Sequence, residues 1–282
     1  MRAVLLSARV RKGTGEVMDR VRSTVTRHAT IAGEFDVNDE LPASLGADRA
    51  VVVGGDGAIM AALRQCVGRG LPVVGVNIGR LGFLAEFDAD ELDRHAAEVL
   101  GPTPVVRQRM VLAVRVCGDD GRVRYEGIAV NDAVVTAGPP FRMIELALQL
   151  DGERGPEFQG DGIIVATPVG STAYNASAGG PIVHPDVEAI VVTPNAAHSL
   201  AFRPVVVPAH QDVRARVVRA NEGTTLVLDG HINVGLRVGD TVVAGRHHAM
   251  ARIVARTGSS YWDTLVDKMR WAEGPNYRAP GA

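Results

Sequence analysis

The 282-residue sequence is poor in cysteine and contains no long apolar run. Its two cysteines, Cys66 and Cys117, are far apart and match neither a zinc-ligand nor a redox spacing, so a reducing, cytoplasmic compartment is expected. No stretch approaches the length needed to cross a bilayer, and the N-terminal apolar run is too short for a signal peptide. We therefore expect no association with a membrane.

The sequence also lacks an excess of positive charge. It has Lys+Arg 30 against Asp+Glu 32 and a formal net charge of -2 at pH 7. Because sequence-independent binding of nucleic acid needs a broad positive surface, nucleic acid is not an expected partner. With 46% hydrophobic and 22% charged residues, the chain has the composition of a folded globular protein. At this length it can bury a core without disulfides or a structural metal.

The apolar residues of the N-terminal part switch between short continuous runs and helical spacing. Residues 51–53 form one such run, whereas Val17, Val21 and Val25 recur every four residues. This alternation is typical of strands that pair in a parallel sheet and are covered by helices. We therefore predict an α/β domain over residues 1–100.

The pattern changes at the Gly-Pro-Thr-Pro stretch of residues 101–104, after which turn dipeptides separate short alternating runs. Residues 144–150, for example, place their apolar side chains on one strand face before an Asp-Gly pair. This pattern predicts a β-rich, sandwich-like domain over residues 101–260. The helical spacing that follows indicates a C-terminal helix and tail over residues 261–282.

The first candidate site is the glycine turn Gly54-Gly55-Asp56-Gly57, which follows an apolar run and precedes a helical stripe. Ligands of open α/β sheets bind at the carboxyl ends of strands, and glycines let backbone N–H groups approach phosphate. Asp56 could act there as a general base or orient a metal-bound phosphate. An ordinary turn explains these four residues equally well, because Asp-Gly is a common turn pair.

Two further segments carry polar groups suited to a nucleotide. In Asn131-Asp132 an amide stands beside a carboxylate, which suits ribose hydroxyls because each hydroxyl both donates and accepts hydrogen bonds. A strand-end turn also explains this pair when it is taken alone. Residues 160–181 are rich in glycine, serine and threonine and carry one aromatic residue, Tyr174. Since an aromatic ring can pack on an adenine face or a ribose, this segment favours a nucleotide pocket.

Four blocks, taken in order, resemble the NAD kinase family. They are the glycine turn, VGVNIGRLGFL at residues 74–84, VND at residues 130–132, and DGIIVATPVGSTAYNASAGGPI at residues 161–182. The glycine turn alone is shared with diacylglycerol-kinase-like and phosphofructokinase-like enzymes, whereas the last block is long and specific. Weaker similarity continues at residues 228–231 and 261–265.

The resemblance implies an α/β domain, a β-rich domain, an active site between them, and homodimers or homotetramers. It implies phosphorylation of the adenosine-ribose 2′-hydroxyl of NAD by ATP, which gives NADP and ADP. Mg²⁺ would enter with ATP, bound mainly by phosphate oxygens and water. No protein residue is therefore assigned as a metal ligand.

The resemblance also implies roles for individual residues. Asp56 would be the catalytic base, with Gly57 beside it in the phosphate turn, and Asn131 and Asp132 would hold the dinucleotide. Asp161 would face the nicotinamide side. The remaining substrate-binding positions are Arg142, Gln159, Thr172, Ala173, Tyr174, Asn175, Ala176 and Ser177.

The sequence departs from the family pattern at four positions. Ala133 replaces the usual Glu after Asn-Asp, Gln159 replaces the Arg of many bacterial members, Ala58 replaces a frequent Thr or Asn, and His231 replaces a common Gln. Because the four acidic and amide residues of the site are retained, an active enzyme is expected. The alternatives are a catalytically weak NADP-binding regulatory protein, or a lipid or sugar kinase that shares only the glycine turn.

Overall fold

The computed structural model describes residues 1–8, 14–79, 82–199 and 201–271, which fold as two compact units. The first unit comprises residues 1–62, 71–107 and the described residues from 253 onward, and the second comprises residues 63–70 and 108–252. The boundaries therefore fall near residues 107 and 252, a few residues from the expected 100 and 260. The C-terminal helix belongs to the first unit.

Strands and helices alternate in the N-terminal part, as the spacing of its apolar residues predicts. Helix ends follow local chemistry: Asp88 caps the third helix by accepting the N–H of Glu91, and the Glu91 carboxylate accepts the N–H of Asp88 in return. The elements are β1 (Arg2–Ser7), α1 (Thr14–His28), β2 (Thr30–Asp36), β3 (Arg49–Val53), α2 (Asp56–Val67), β4 (Val73–Val76), α3 (Ala89–Val99) and β5 (Val106–Arg109).

Strands dominate the rest of the chain, interrupted by a 3-10 helix at Val169–Thr172 and one short α-helix. The elements are β6 (Leu112–Cys117), β7 (Val123–Ala129), β8 (Asp132–Thr136), β9 (Ile144–Leu150), β10 (Glu153–Gly160), β11 (Gly162–Ala166), α4 (Tyr174–Ser177), β12 (Ala189–Asn195), β13 (Val205–Pro208), β14 (Val213–Arg219), β15 (Thr225–Leu228), β16 (Ile232–Gly235), β17 (Thr241–Arg246), β18 (Ala251–Val254) and α5 (Tyr261–Met269).

The first unit is an α/β unit built on a six-stranded sheet of order β2-β1-β3-β4-β18-β5. The pairs of β1 with β2 and β3, and of β4 with β3 and β18, are parallel. Val21 and Val25 of α1 and Leu92 of α3 are buried against the sheet in one apolar core. The predicted α/β domain with helical cover is thereby confirmed, and these four strand pairs have the predicted parallel direction. None of the described helices has the length and apolar character needed to cross a membrane.

The second unit is a β-sandwich of two six-stranded sheets, of orders β10-β9-β14-β17-β6-β7 and β13-β12-β11-β8-β15-β16. One continuous core joins Leu112 and Leu146 of the first of these sheets to Ile163 and Leu226 of the second. The paired strands run antiparallel, as in the β8–β11 and β8–β15 pairs. The predicted β-rich, sandwich-like domain is confirmed.

The register of three neighbouring strands brings distant polar segments to one sheet edge. Asp132 at the start of β8 pairs with Ala166 at the end of β11, and Ala133 pairs with Leu228 at the end of β15. The turns that precede β8 and follow β11 and β15 therefore lie side by side. At the other end of β11, Gly162 pairs with Asn195 at the end of β12.

Candidate active site

In the first unit, the carboxylate of Asp56 is fixed at the carboxyl end of β3. Asp56 is the first residue of α2, and its Oδ2 accepts the N–H of Phe83 at 2.9 Å while Oδ1 accepts the N–H of Leu84 at 3.2 Å. The glycine turn is therefore joined by hydrogen bonds to the end of the block at residues 74–84. Each carboxylate oxygen keeps a lone pair for a further partner.

Glycine is required where this loop passes Asp56. A Cβ atom on Gly82 would lie 2.0 Å from Asp56 Oδ1, and one on Gly54 would lie 2.6 Å from the Cβ of Ala58. Neither glycine has room for a side chain, which explains how backbone and carboxylate approach so closely. Arg80 and Leu81 of the same block lie outside the described residues.

In the second unit, the predicted Asn131-Asp132 pair forms a turn around the buried carboxylate of Asp229. Asp229 accepts the N–H groups of Val130 at 3.0 Å, Asn131 at 2.7 Å and Asp132 at 3.2 Å. Arg64 Nη1 lies 2.6 Å from Asp229 Oδ2. An anion thus lies at the centre of the turn, a role that the sequence did not predict.

The Asp132 carboxyl group has an altered acidity. Burial and, to a smaller extent, the neighbouring Asp229 carboxylate together raise its pKa to about 7. Asp132 is only 4% exposed. At low pH the side chain is therefore neutral and able to donate a hydrogen bond.

We expect Asp132→Asn to change how stability depends on pH. A raised folded-state pKa means that the folded chain holds the proton more tightly, so stability is highest below the unfolded-state pKa and falls as pH rises toward 7. Asparagine does not ionise, so the stability of the variant should not fall in this way. Between about pH 5 and about pH 8 its free energy of unfolding should therefore rise by roughly 2–3 kcal/mol relative to that of wild type. Denaturant unfolding at both pH values measures this difference.

The matched control is Asp267→Asn, which alters an exposed carboxylate on α5 and should follow the wild-type pH profile. If Asp132→Asn also follows that profile, the ionisation of Asp132 is not coupled to folding.

The third block joins the same turn through Thr167, which is fully buried at the end of β11. Its N–H donates to the carbonyl of Asn131 at 2.8 Å, and its hydroxyl donates to the carbonyl of Val130 at 2.7 Å. A Cβ on Gly170 would lie 2.0 Å from the same Asn131 carbonyl oxygen. The glycine and threonine of this block therefore serve close packing against the Asn131 backbone.

Tyr174 and Asp161 are linked at the opposite end of β11. The Tyr174 hydroxyl accepts a hydrogen bond from Asn195 Nδ2 at 3.1 Å, and the Asn195 carbonyl accepts the N–H of Asp161 at 3.0 Å. Tyr174 is 44% exposed, so its ring is available to a ligand. Five residues of strand separate this end from the Asn131 turn, a span of roughly 16 Å.

Asn175, like Asp132, is a predicted binding residue whose side chain is buried. Its Nδ2 donates to the carbonyls of Ser171 and Pro181, and its Oδ1 accepts the Thr193 hydroxyl at 2.6 Å. A Cβ on Gly180 would lie 2.0 Å from that Oδ1. These contacts favour a role in holding the loop that follows α4 rather than a direct contact with substrate.

The remaining predicted residues are exposed or half-buried, and all except Gly57 lie in the second unit. Arg142 is exposed in the loop before β9, where its carbonyl accepts Asn221 Nδ2 at 2.8 Å. Gln159 lies in β10 and is half-buried. Thr172 ends the 3-10 helix, Ala173 precedes α4, and Ala176 and Ser177 lie within α4. Gly57 is the second residue of α2 in the first unit.

The donor set fits phosphate better than a bare cation. Among the described residues, no three His, Cys, Asp or Glu side chains lie close enough together to hold a metal ion. The turn around Asp56 instead offers glycine backbone at the start of a helix, which suits phosphate oxygens. A cation that arrives already bound to a nucleotide phosphate is compatible with these residues.

The chain combines an α/β unit that carries a glycine turn with a β-sandwich that carries polar side chains at the ends of its strands. The ATP-NAD kinase N-terminal domain model matches residues 10–102, and the ATP-NAD kinase C-terminal domain model matches residues 130–255. An NAD kinase from Geobacter metallireducens is 37% identical over 91% of this chain and 89% of its own length. The chain belongs to the NAD kinase family.

A further relative agrees with this membership, and two solved structures share the fold. An NAD kinase from Aquifex aeolicus is 37% identical over 78% of this chain and 80% of its own length. The structure of yeast NADH kinase complexed with NADH has a TM-score of 0.88 at 23% identity and covers 99% of this chain and 90% of its own. The structure of an Archaeoglobus fulgidus NAD kinase in complex with ATP has a TM-score of 0.79 at 25% identity and covers 96% of this chain and 99% of its own.

Proposed function

We propose that the chain is an ATP-dependent NAD kinase, a phosphotransferase with an alcohol group as acceptor. Family membership supports this activity, together with one observation of geometry: the Asp56 carboxylate is oriented by two backbone N–H groups within a glycine turn. The product would be NADP, formed by transfer of the γ-phosphoryl group of ATP to the adenosine-ribose 2′-hydroxyl of NAD.

Asp56 is proposed to accept the proton of that hydroxyl. As the ribose oxygen forms its bond to the γ-phosphorus, the bond from that phosphorus to the β,γ-bridging oxygen breaks and ADP leaves. The proton of the hydroxyl passes to a free lone pair of Asp56. The N–H groups of Phe83 and Leu84 hold the carboxylate in one orientation, which matters because phosphoryl transfer depends chiefly on positioning.

Mg²⁺ is proposed to enter with ATP and to neutralise charge on the phosphate oxygens. We assign no protein ligand to Mg²⁺. It would lie with the phosphates near the glycine turn. Loss of turnover on chelation with EDTA, and its recovery with added Mg²⁺, would support this role.

The second unit is proposed to bind the dinucleotide. Asn131, Asp132 and Asp161 supply polar groups at the two ends of β11, and Tyr174 supplies an exposed ring face. A span of roughly 16 Å between these ends suits an extended ligand with two riboses. Asn175 would act indirectly, because its side chain is engaged inside the unit.

A turnover assay with ATP and NAD, followed by detection of NADP, tests the proposal directly. NADP formation distinguishes the kinase from both alternatives raised by the sequence. Binding of NADP without turnover would indicate the regulatory protein, and phosphorylation of a lipid or sugar in place of NAD would indicate the other kinase class.

We expect Tyr174→Ala to weaken NAD binding more than ATP binding. Loss of an aromatic face removes about 0.5–1.5 kcal/mol beyond simple area burial, or roughly 2- to 12-fold in Kd. Tyr174→Phe is the matched control, because it keeps the ring and removes only the hydrogen bond to Asn195. Calorimetry measures both affinities, and equal NAD affinity in Tyr174→Ala and wild type would rule the contact out.

We further propose a cytoplasmic location and a homodimer or homotetramer. Cys66 and Cys117 are free, which is consistent with a reducing compartment. Light scattering of the purified protein would determine its oligomeric state.

A further inference from the structure

We propose that Asp229, held in place by Arg64, is a positioning residue that presets the Asn131-Asp132 turn for ligand binding. The identity of the ligand, a dinucleotide, rests on the proposed function, whereas the positioning itself is a statement about the turn. Arg64 and Asp229 both belong to the second unit.

The carboxylate of Asp229 has all its hydrogen-bonding partners inside the fold. Its side chain is 0% exposed, and it accepts three consecutive backbone N–H groups, from Val130 to Asp132, besides the Arg64 guanidinium. Successive N–H groups that converge on one anion fix the curvature of a turn. Because these bonds are satisfied internally, Asp229 acts on a ligand only through the turn.

A further hydrogen bond joins the turn that carries Asp229 to the Asn131-Asp132 turn, and in this bond Asp229 is the donor. The N–H of Asp229 donates to the carbonyl of Asp132 at 3.0 Å. The Asp-Gly turn between β15 and β16 places the carboxylate of Asp229 beneath the Asn131-Asp132 turn.

This arrangement fixes the backbone of Asn131 on both sides. Its N–H is bound by Asp229 and its carbonyl by the N–H of Thr167, so both sides of its backbone are fixed. Its Oδ1 is buried and has no hydrogen-bond partner among the described residues. The backbone is therefore set before a ligand arrives, and the side-chain amide retains an acceptor for it.

Net stability does not by itself account for the Arg64–Asp229 pair. Desolvation of a buried ion pair largely offsets its Coulombic attraction, so apolar residues of similar volume would stabilise the unit as well. Arg64 pairs with Asp229 only, and Asp132 is buried beside Asp229. The pair specifies geometry and charge at the turn.

Another buried ion pair in the same unit provides a matched control. Asp240 has a 5% exposed side chain, pairs with Arg124, and accepts the N–H of Arg237 at 2.8 Å. Asp240→Asn therefore breaks the same kind of interaction without touching any proposed binding residue. A loss of stability that is common to Asp229→Asn and Asp240→Asn is then separable from an effect on the turn.

The experiment compares Asp229→Asn, Arg64→Lys, Arg64→Gln and Asp240→Asn in the full chain. For each variant, KM for NAD, KM for ATP, kcat, Tm and amide hydrogen exchange of residues 129–133 are measured. Asp229→Asn should raise KM for NAD by roughly tenfold or more and accelerate exchange in the turn, while KM for ATP stays within about twofold. Asp240→Asn should leave both KM values and the exchange unchanged.

The Arg64 series keeps the proposal testable if Asp229→Asn does not fold. Arg64→Lys keeps the charge, so it should perturb KM for NAD and exchange less than Arg64→Gln does. Two results would overturn the proposal. One is an equal change of KM for NAD and of hydrogen exchange in the Arg64 and Asp240 variants, and the other is faster exchange with no change in KM for NAD. If wild type makes no NADP, the proposed function fails, and exchange together with calorimetry using NADP as the probe still decides whether the turn is preset.

Discussion

Asp56→Asn is expected to lower turnover by roughly 10²–10⁴-fold while the fold and much of the NAD affinity are retained. Asparagine has the size of aspartate and can still accept a backbone N–H, but it cannot accept the proton of the ribose hydroxyl. Its NH₂ group would also face one of the two N–H donors that now hold the carboxylate, Phe83 and Leu84. Steady-state kinetics, Tm and calorimetry with NAD measure the three quantities separately.

Asp90→Asn is the control for a lost acidic residue in the same unit. Asp90 lies exposed in the first turn of α3 and pairs with Arg20 on the surface, so kcat should be unaffected. A correctly folded Asp56→Asn variant with near-normal turnover would show that another group accepts the proton.

Gly82→Ala is expected to cause a similarly large loss of turnover without removing any reactive group. The added methyl would lie 2.0 Å from Asp56 Oδ1 and within 2.5 Å of the other carboxylate atoms, so the carboxylate must rotate or the loop must move. A displacement of about 1 Å in a positioned group can cost roughly 10²-fold in rate. The strain should also lower stability by about 1–3 kcal/mol, which denaturant unfolding measures.

The comparison variant is Gly68→Ala, because a Cβ on Gly68 meets nothing within 4 Å and its φ is not in the left-handed region. It should keep wild-type kcat and stability. If Gly82→Ala matched it in kcat, the orientation of Asp56 by the loop would be unimportant for the rate.

The location of Asp56 could be predicted because a local pattern defines it. A continuous apolar run marks β3, the glycines mark its end, and a ligand site is expected at the carboxyl end of a parallel strand. Strand β2 had no comparable signal. It lies at the edge of the sheet, most of its side chains are half-buried, and its sequence TIAGEFD shows no regular alternation.

The role of Asp229 could not be predicted from local sequence. Its Asp-Gly pair is an ordinary turn signal, and 97 residues separate it from the Asp132 N–H that it accepts. Only the pairing of β15 with β8 brings them together. Asn175 shows a related limit, because a segment rich in hydroxyl groups does not reveal which of its polar side chains point inward.

The place of β18 in the first sheet affects the order in which the protein can fold as it is synthesised. This strand lies between β4 and β5, yet residues 251–254 leave the ribosome after the whole of the β-sandwich sequence. Until then β4 and β5 lack their shared neighbour, and unpaired strand edges of this kind invite pairing with other chains. The glycine turn after β3 can therefore form early, while the sheet that supports it is completed only after the β-sandwich sequence has been synthesised.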